Sequence, residues 1–201
     1  MKRLLFPLLL LVVGCAQIKD FTNTLNNLAN VQFKLNNING FRVAGVDIAR
    51  VASPSDLSIG DALALTSAFA RKQVPVGFTL NIDAKNPNAP SGTSNGSATL
   101  TGLDWRLIID DKPTIAGDIQ SPITLPGGGK TTNIPLGMQL DMYSFFGDKG
   151  YDGLLNLALA LGGKQGSAAR VKLDAQPTVS TPIGAMKYPS RLTIIDKSFS
   201  G

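Results

Sequence analysis

Apolar and polar residues alternate with a period of two through most of this chain. Val31, Phe33 and Leu35 alternate with Gln32, Lys34 and Asn36, the pattern of a half-buried strand. Phe41 and Val43 keep that phase, and Val46 and Ile48 take the other. The change at Gly45 predicts a bulge. The cleanest run places Val74, Val76, Phe78, Leu80, Ile82 and Ala84 on one face, with Gln73, Pro75, Gly77, Thr79, Asn81 and Asp83 on the other. Asn86-Pro87-Asn88 ends it, because proline cannot donate to a ladder and asparagine suits turns. A strand opening on Ala98 and Leu100 changes face at Gly102 and continues through Leu103, Trp105, Leu107 and Ile109. Asp110-Asp111-Lys112-Pro113 then reads as a turn. Later strands are predicted through Ile115, Gly117 and Ile119; through Ile134, Leu136, Met138, Leu140 and Met142; through Ala169, Val171, Leu173 and Ala175; and through Leu192 and Ile194.

Two segments break the period. Ser58-Ile59-Gly60-Asp61 has the form of a capping box, with Asp in place of the usual Glu. Behind it Ile59, Ala62, Leu63, Thr66, Phe69 and Ala70 recur at helical spacing, which predicts a helix over about 59–71. Tyr151, Leu154, Leu155, Ala158 and Leu161 form a second helical stripe, stopped at Gly162-Gly163. Period-two strands with one polar face belong to antiparallel sheets. Without regular crossover helices, a doubly wound parallel sheet does not fit. The expectation is a mainly β chain, an antiparallel β-sandwich of about seven or eight strands with two helical insertions.

The N-terminus follows another pattern. Met1-Lys2-Arg3 precedes an apolar run over 4–13, then Gly14-Cys15. Charge, short apolar run and small residue together are the layout of a secretory signal. Ten residues are too few to span a bilayer, which takes about 20. Val12-Val13-Gly14-Cys15 resembles the lipobox of bacterial lipoproteins. The resemblance implies cleavage before Cys15 and its acylation, with Ala16 at the next position favouring the outer membrane. Loss of Lys2 and Arg3 would lower the side-chain charge from +5 to +3, and two or more acyl chains suffice for stable anchoring. The organisation expected is a signal peptide over 1–14, an acylated Cys15 with an Asn-rich tether over 15–30, and one sandwich domain over 31–201.

Composition removes several chemistries. There is no His and one Cys, so a Ser-His-Asp triad, a His general base, an ordinary zinc site and an intrachain disulfide are all excluded. No cofactor or metal is expected. Gly127-Gly128-Gly129-Lys130-Thr131 lacks the first glycine of a phosphate loop, because Thr124 stands there. Asp110-Asp111 sit in a turn, and Asp104 beside Trp105 faces water if Trp105 is core. Basic residues are scattered, with Arg71-Lys72 the one adjacent pair after the signal, so nucleic-acid binding has no support. Lys19, Lys34 and Arg42 are candidates for contact with anionic headgroups.

The central block carries a family resemblance. A strand closing on Asn86-Pro87-Asn88 is followed by a strand pair around 103–112. Ile115-Ala116-Gly117, Ile123-Thr124-Leu125-Pro126 and Thr131-Thr132-Asn133-Ile134-Pro135-Leu136 come next. This order, over about 74–142, resembles the late embryogenesis abundant type 2 family, also called the water stress and hypersensitive response domain. The resemblance implies an immunoglobulin- or fibronectin-like sandwich with no catalytic residues to carry over. The two helical insertions depart from the minimal domain.

Two function classes follow. One is a non-catalytic, lipid-anchored module of the bacterial envelope, facing the periplasm, that binds a protein, a lipid or another amphiphile. The other is an envelope hydrolase acting on glycans through carboxylates. Phe69, Met138, Leu154 and Leu155 are the residues expected to line a ligand cavity if the helices flank one. Otherwise the helices plug an open end of the sandwich.

Overall fold

The computed structural model describes residues 30–90, 96–162, 169–181 and 184–199. The signal segment, Cys15 and the tether up to residue 29 lie outside the described residues. Two antiparallel sheets face each other. The first has the order β2-β1-β3-β7, built from β1 (Gln32–Val43), β2 (Val46–Asp47), β3 (Pro75–Asn86) and β7 (Lys130–Asp141). The second has the order β10-β8-β4-β5, from β4 (Ala98–Ile109), β5 (Lys112–Gly117), β8 (Ala169–Thr181) and β10 (Leu192–Phe199). The short β6 (Ile123–Leu125) pairs with β4, and β9 (Gly184–Lys187) pairs with β8. The fold is therefore the expected sandwich, with ten strands among the described residues rather than seven or eight. The strands not expected are β6 and β9, too short to establish a period.

The inward phase of each long strand makes the core. Val76, Phe78, Leu80, Ile82, Ile134, Leu136, Met138 and Leu140 from the first sheet are buried, as are Leu100, Leu103, Trp105, Leu107, Ile109, Val171 and Leu173 from the second. Phe78 stacks on Phe41 with centroids 5.2 Å apart. The phase change near Gly102 is a bulge, since the β4–β8 register slips between Leu100 and Gly102. The change at Gly45 is not. Ala44 and Gly45 both have positive φ, at 49° and 85°, and Val43 pairs with Val46. They form a two-residue hairpin turn, whose twist requires that backbone sign. The bulges of β1 lie earlier, at Asn36 and between Asn39 and Arg42. They explain how Leu35, Ile38 and Phe41 all pack against the core although their spacing is not two.

Asp110 and Asp111, at φ 49° and 61°, make the β4–β5 turn, but Lys112 and Pro113 already belong to β5. β7 stops one residue before its expected end. The Asp141 carboxylate accepts from Tyr143 N at 3.0 Å, which caps a short helix α2 (Met142–Phe146) and turns the chain out of the sheet. Helix α3 (Gly150–Leu161) follows. Its stripe is wider than expected: Leu157, Leu159 and Ala160 are buried along with Leu154, Leu155, Ala158 and Leu161. Helix α1 (Ile59–Ala70) starts at the expected capping box, with Ser58 Oγ accepting from Asp61 N at 3.1 Å. Its buried residues are Leu65 and Ala68, while Ile59 and Leu63 are 91% and 66% exposed. Only the C-terminal half of α1 meets the rest of the molecule, which leaves the start of the predicted stripe uncovered.

Candidate functional site

The two helices meet over one end of the sandwich. Phe69 of α1 makes edge-on contacts with Tyr143 at 5.4 Å and with Tyr151 of α3 at 5.8 Å. Phe69, Leu154 and Leu155 line a common apolar gap with Val43, Leu65, Val74 and Ala158. Its volume is about 20 Å³, room for about one water and far too little for an acyl chain. Met138 does not line this gap. It sits 1% exposed within the core, beneath the opposite face of β7. The candidate cavity of Phe69, Met138, Leu154 and Leu155 is thus a packed junction. Small side chains on α3 let the helices close together, and Met138 belongs to a different layer.

The loop candidates resolve into structure. The Gly127–Gly129 segment joins β6 to β7, with Gly128 and Gly129 at φ 77° and 76°. A strand follows it, so no helix N-terminus faces an anion there. It is pinned by Gly128 N and Gly129 N, which donate to the carbonyls of Asn88 and Asn86, both at 2.8 Å. Asp110 is bound by Arg170 N at 3.0 Å and lies 3.5 Å from Lys149 Nζ. Asp111 lies 3.5 Å from Arg170. These carboxylates are spent on local partners.

Carboxylates come together on the outer face of the second sheet. Arg106 grips Asp174 with two hydrogen bonds, Nε to Oδ1 at 2.9 Å and Nη2 to Oδ2 at 2.7 Å. Arg191 Nε donates to Asp174 Oδ1 at 2.7 Å, and its Nη2 donates to Asp104 Oδ1 at 3.0 Å. Lys187 Nζ adds a contact to Asp104 Oδ2 at 3.1 Å. The hydrogen bond from Arg106, then that from Arg191, holds the Asp174 carboxyl below its usual range. Arg191 does the same for Asp104, helped by Lys187. A general acid needs the opposite shift. The chain also contains no glutamate, so every carboxylate here has the shorter reach of aspartate.

Among the described residues an open trough of about 780 Å³ lies against the outer face of the first sheet. It falls in the volume range of ligand sites. Its floor is the polar phase of β3 and β7, where Thr79 pairs with Gly137 and Gly77 pairs with Gln139. Asn39, Gly40 and Arg42 of β1 bound one side, and the segment 117–120 bounds the other. Trp105 lines it as well. Its indole lies against Gly117, where an added Cβ would sit 2.5 Å from the ring. The trough continues into a hollow of about 690 Å³ bounded by Arg42, Arg71, Gln73, Pro75 and Gln139. Along β7, outward residues run from Pro135 to Asp141, a seven-residue stretch or roughly 20 Å of strand.

Two carboxylates line these hollows, and both are engaged. Asp118 Oδ1 accepts from Leu103 N and from Ile119 N. Asp141 Oδ1 accepts from Val74 N at 2.8 Å and from Tyr143 N, and its Oδ2 accepts from Ser144 Oγ at 3.1 Å. Arg42 and Arg71 are exposed and form no ion pair among the described residues. Sequence reasoning named Arg42 and Arg71 only as surface cations and missed the trough. The signal that marks it is the glycine at two outward positions, Gly77 and Gly137, of otherwise regular strands.

No family model matches the sequence, and no curated protein matches it. Among solved structures, the chain is similar to a candidate late embryogenesis abundant (LEA) protein determined in solution, at 15% identity with a TM-score of 0.39, over 94% of this chain and 84% of that one. It is also similar to a protein from Archaeoglobus fulgidus determined by crystallography, at 12% identity with a TM-score of 0.38, over 63% of this chain and 86% of that one. Both are distant likenesses in the course of the chain and bear on nothing beyond it.

Proposed function

We propose that this chain is a non-catalytic binding module of late embryogenesis abundant type 2 kind, held at the bacterial cell envelope by an acylated Cys15 and facing the periplasm from the outer membrane. The observation that carries the binding role is the contrast between a filled interior and an open outer trough. The junction of the helices has room for about one water, whereas the outer face of the first sheet offers about 780 Å³ lined by amides, the Arg42 guanidinium, the Asp118 carboxylate and several apolar residues. The same contrast favours a protein partner over an enclosed amphiphile. Glycan hydrolysis needs one carboxyl of a pair kept protonated, whereas Asp104 and Asp174 are both held low by their arginine partners. The anchor rests on the Lys2-Arg3, apolar and Gly14-Cys15 sequence. Among the described residues no helix is long and apolar enough to cross a membrane.

The test is in vivo cross-linking in intact envelopes with a photoreactive residue at Thr79 or Gln139, in the trough, and at Lys197 on the other sheet. The reading predicts a discrete protein adduct from the trough positions alone. Adducts from Lys197 alone, or none from any position, would refute it.

A further inference from the structure

We propose that Asn39 is a site of spontaneous covalent modification. In the folded chain its side-chain amide cyclises onto the backbone nitrogen of Gly40 and is converted to aspartate and isoaspartate, which adds a carboxylate to the wall of the trough. This goes beyond the binding-module reading and does not rest on it.

The chemistry needs an asparagine followed by an unhindered backbone nitrogen. The Gly40 nitrogen attacks Asn39 Cγ and gives up its proton to water, and Nδ2 leaves as ammonia. Water then opens the cyclic imide at either of its carbonyls. One opening yields aspartate. The other yields isoaspartate, in which the main chain runs through Cβ and Cγ. One water is consumed, one ammonia is released, and nothing is oxidised or reduced. A side chain on the second residue hinders the attack, and glycine has none.

Three observations place this reaction at Asn39. The first is the backbone. Asn39-Gly40 is one of two Asn-Gly pairs in the chain, and the other, Asn95-Gly96, begins outside the described residues. Gly40 has φ 62°, the left-handed conformation that glycine supplies in one kind of bulge. A Cβ there would meet nothing within 4 Å. The fold thus calls for glycine at 40 and leaves the peptide open. The second is the free amide. Asn39 and Gly40 are both exposed. Asn36 donates to Asp83, and Asn37 donates to Asn36 and accepts from Asn81, whereas the Asn39 side chain makes no hydrogen bond among the described residues. The third is the weak local pairing. Residues 37–39 pair with β3 between two register shifts, and on the other edge of β1 the strand β2 reaches only Arg42 and Val43. Cyclisation requires Asn39 to rotate out of extended geometry, and a short exposed run of this kind opens more easily than the body of a strand.

The product changes the trough. Arg42 and Asp118 are the charged residues that line it, and their charges cancel. Asn39 lines it too, so its conversion leaves the trough with an excess negative charge. Isoaspartate also lengthens β1 by one main-chain atom just ahead of Phe41 and Val43, both buried in the core.

The test incubates the full chain in detergent micelles for several weeks at pH 8 and, in parallel, at pH 6. Trypsin then releases residues 35–42, a peptide that holds Asn36, Asn37 and Asn39. Mass spectrometry with electron-transfer fragmentation locates the gained acid and tells isoaspartate from aspartate. The expected result, above a zero-time digest, is conversion at Asn39 at least tenfold ahead of Asn36 and Asn37, with isoaspartate in excess and the faster rate at pH 8. Asn39→Gln should abolish the gain. A folded chain that keeps Asn39 intact while the same chain in urea converts it would overturn the proposal. So would equal conversion at Asn36 or Asn37, or a gain on this peptide that survives Asn39→Gln.

Discussion

Asn86 donates from Nδ2 to the carbonyl oxygen of Leu125 at 2.9 Å, and so ties the end of β3 to β6 in the opposite sheet. The same nitrogen donates to Gly96 O at 2.9 Å, and Oδ1 accepts from Asn88 N and Asn88 Nδ2 at 3.1 and 2.6 Å. Asn86 is fully buried, so the two bonds it donates are made away from water, and the two it accepts from Asn88 are part-buried. Only an amide can donate twice and accept twice in this way. The Asn86-Pro87-Asn88 motif is therefore a clasp between sheets.

Replacing Asn86 by Ala removes both hydrogen bonds that its Nδ2 donates at a buried position. The expected loss is roughly 1–3 kcal/mol of unfolding free energy, measured by urea denaturation. Asn86→Asp should be worse than Asn86→Ala, because it buries a charge and still removes the donors. A loss below that of an ordinary surface substitution would contradict the clasp.

Phe78 and its neighbour Thr79 face opposite ways. Phe78 is 9% exposed and stacked on Phe41, and Thr79 lies on the trough floor. Phe78→Ala should cost ~3–5 kcal/mol, and Thr79→Ala less than about 0.5 kcal/mol. Equal effects in matched thermal melts would contradict the assigned face.

The Arg106–Asp174–Arg191–Asp104 network gives the fold an acid limit. Both carboxyls titrate below their unfolded value of about 3.9 in the native state. The stabilisation they supply is fully present above that value and is lost as the pH falls through the lower folded values. Asp174→Asn should lower stability at pH 7 by roughly 1–3 kcal/mol and flatten the decline below about pH 4. Unfolding midpoints followed from pH 7 to pH 2 check both. Parallel curves for the two proteins would contradict the assignment.

The sequence displays the sandwich because inward and outward residues alternate wherever a strand is half-buried, as at Val76–Ile82 and Ile134–Leu140. It hides what does not alternate. Asn36 and the Asn39–Arg42 stretch shift the phase of β1 through bulges, and only the paired β3 register reveals them. The exposed start of α1 carries Ile59 and Leu63 at helical spacing, but the tertiary packing leaves them uncovered. Phe69, Leu154 and Leu155 were legible as neighbours, since both helical stripes must be covered. The tightness of their junction depends on side-chain packing that no spacing encodes. The trough was illegible because it is assembled from strands of both sheets and the segment 117–120, and depends on what Gly77 and Gly137 lack.

The central claim, an anchored binding module, meets its most direct test in the intact mass of the chain extracted from native membranes. The account predicts a species that begins at Cys15, lacks residues 1–14 and carries two or three acyl chains on that residue. A chain that retains the N-terminal segment with an unmodified Cys15 would contradict it.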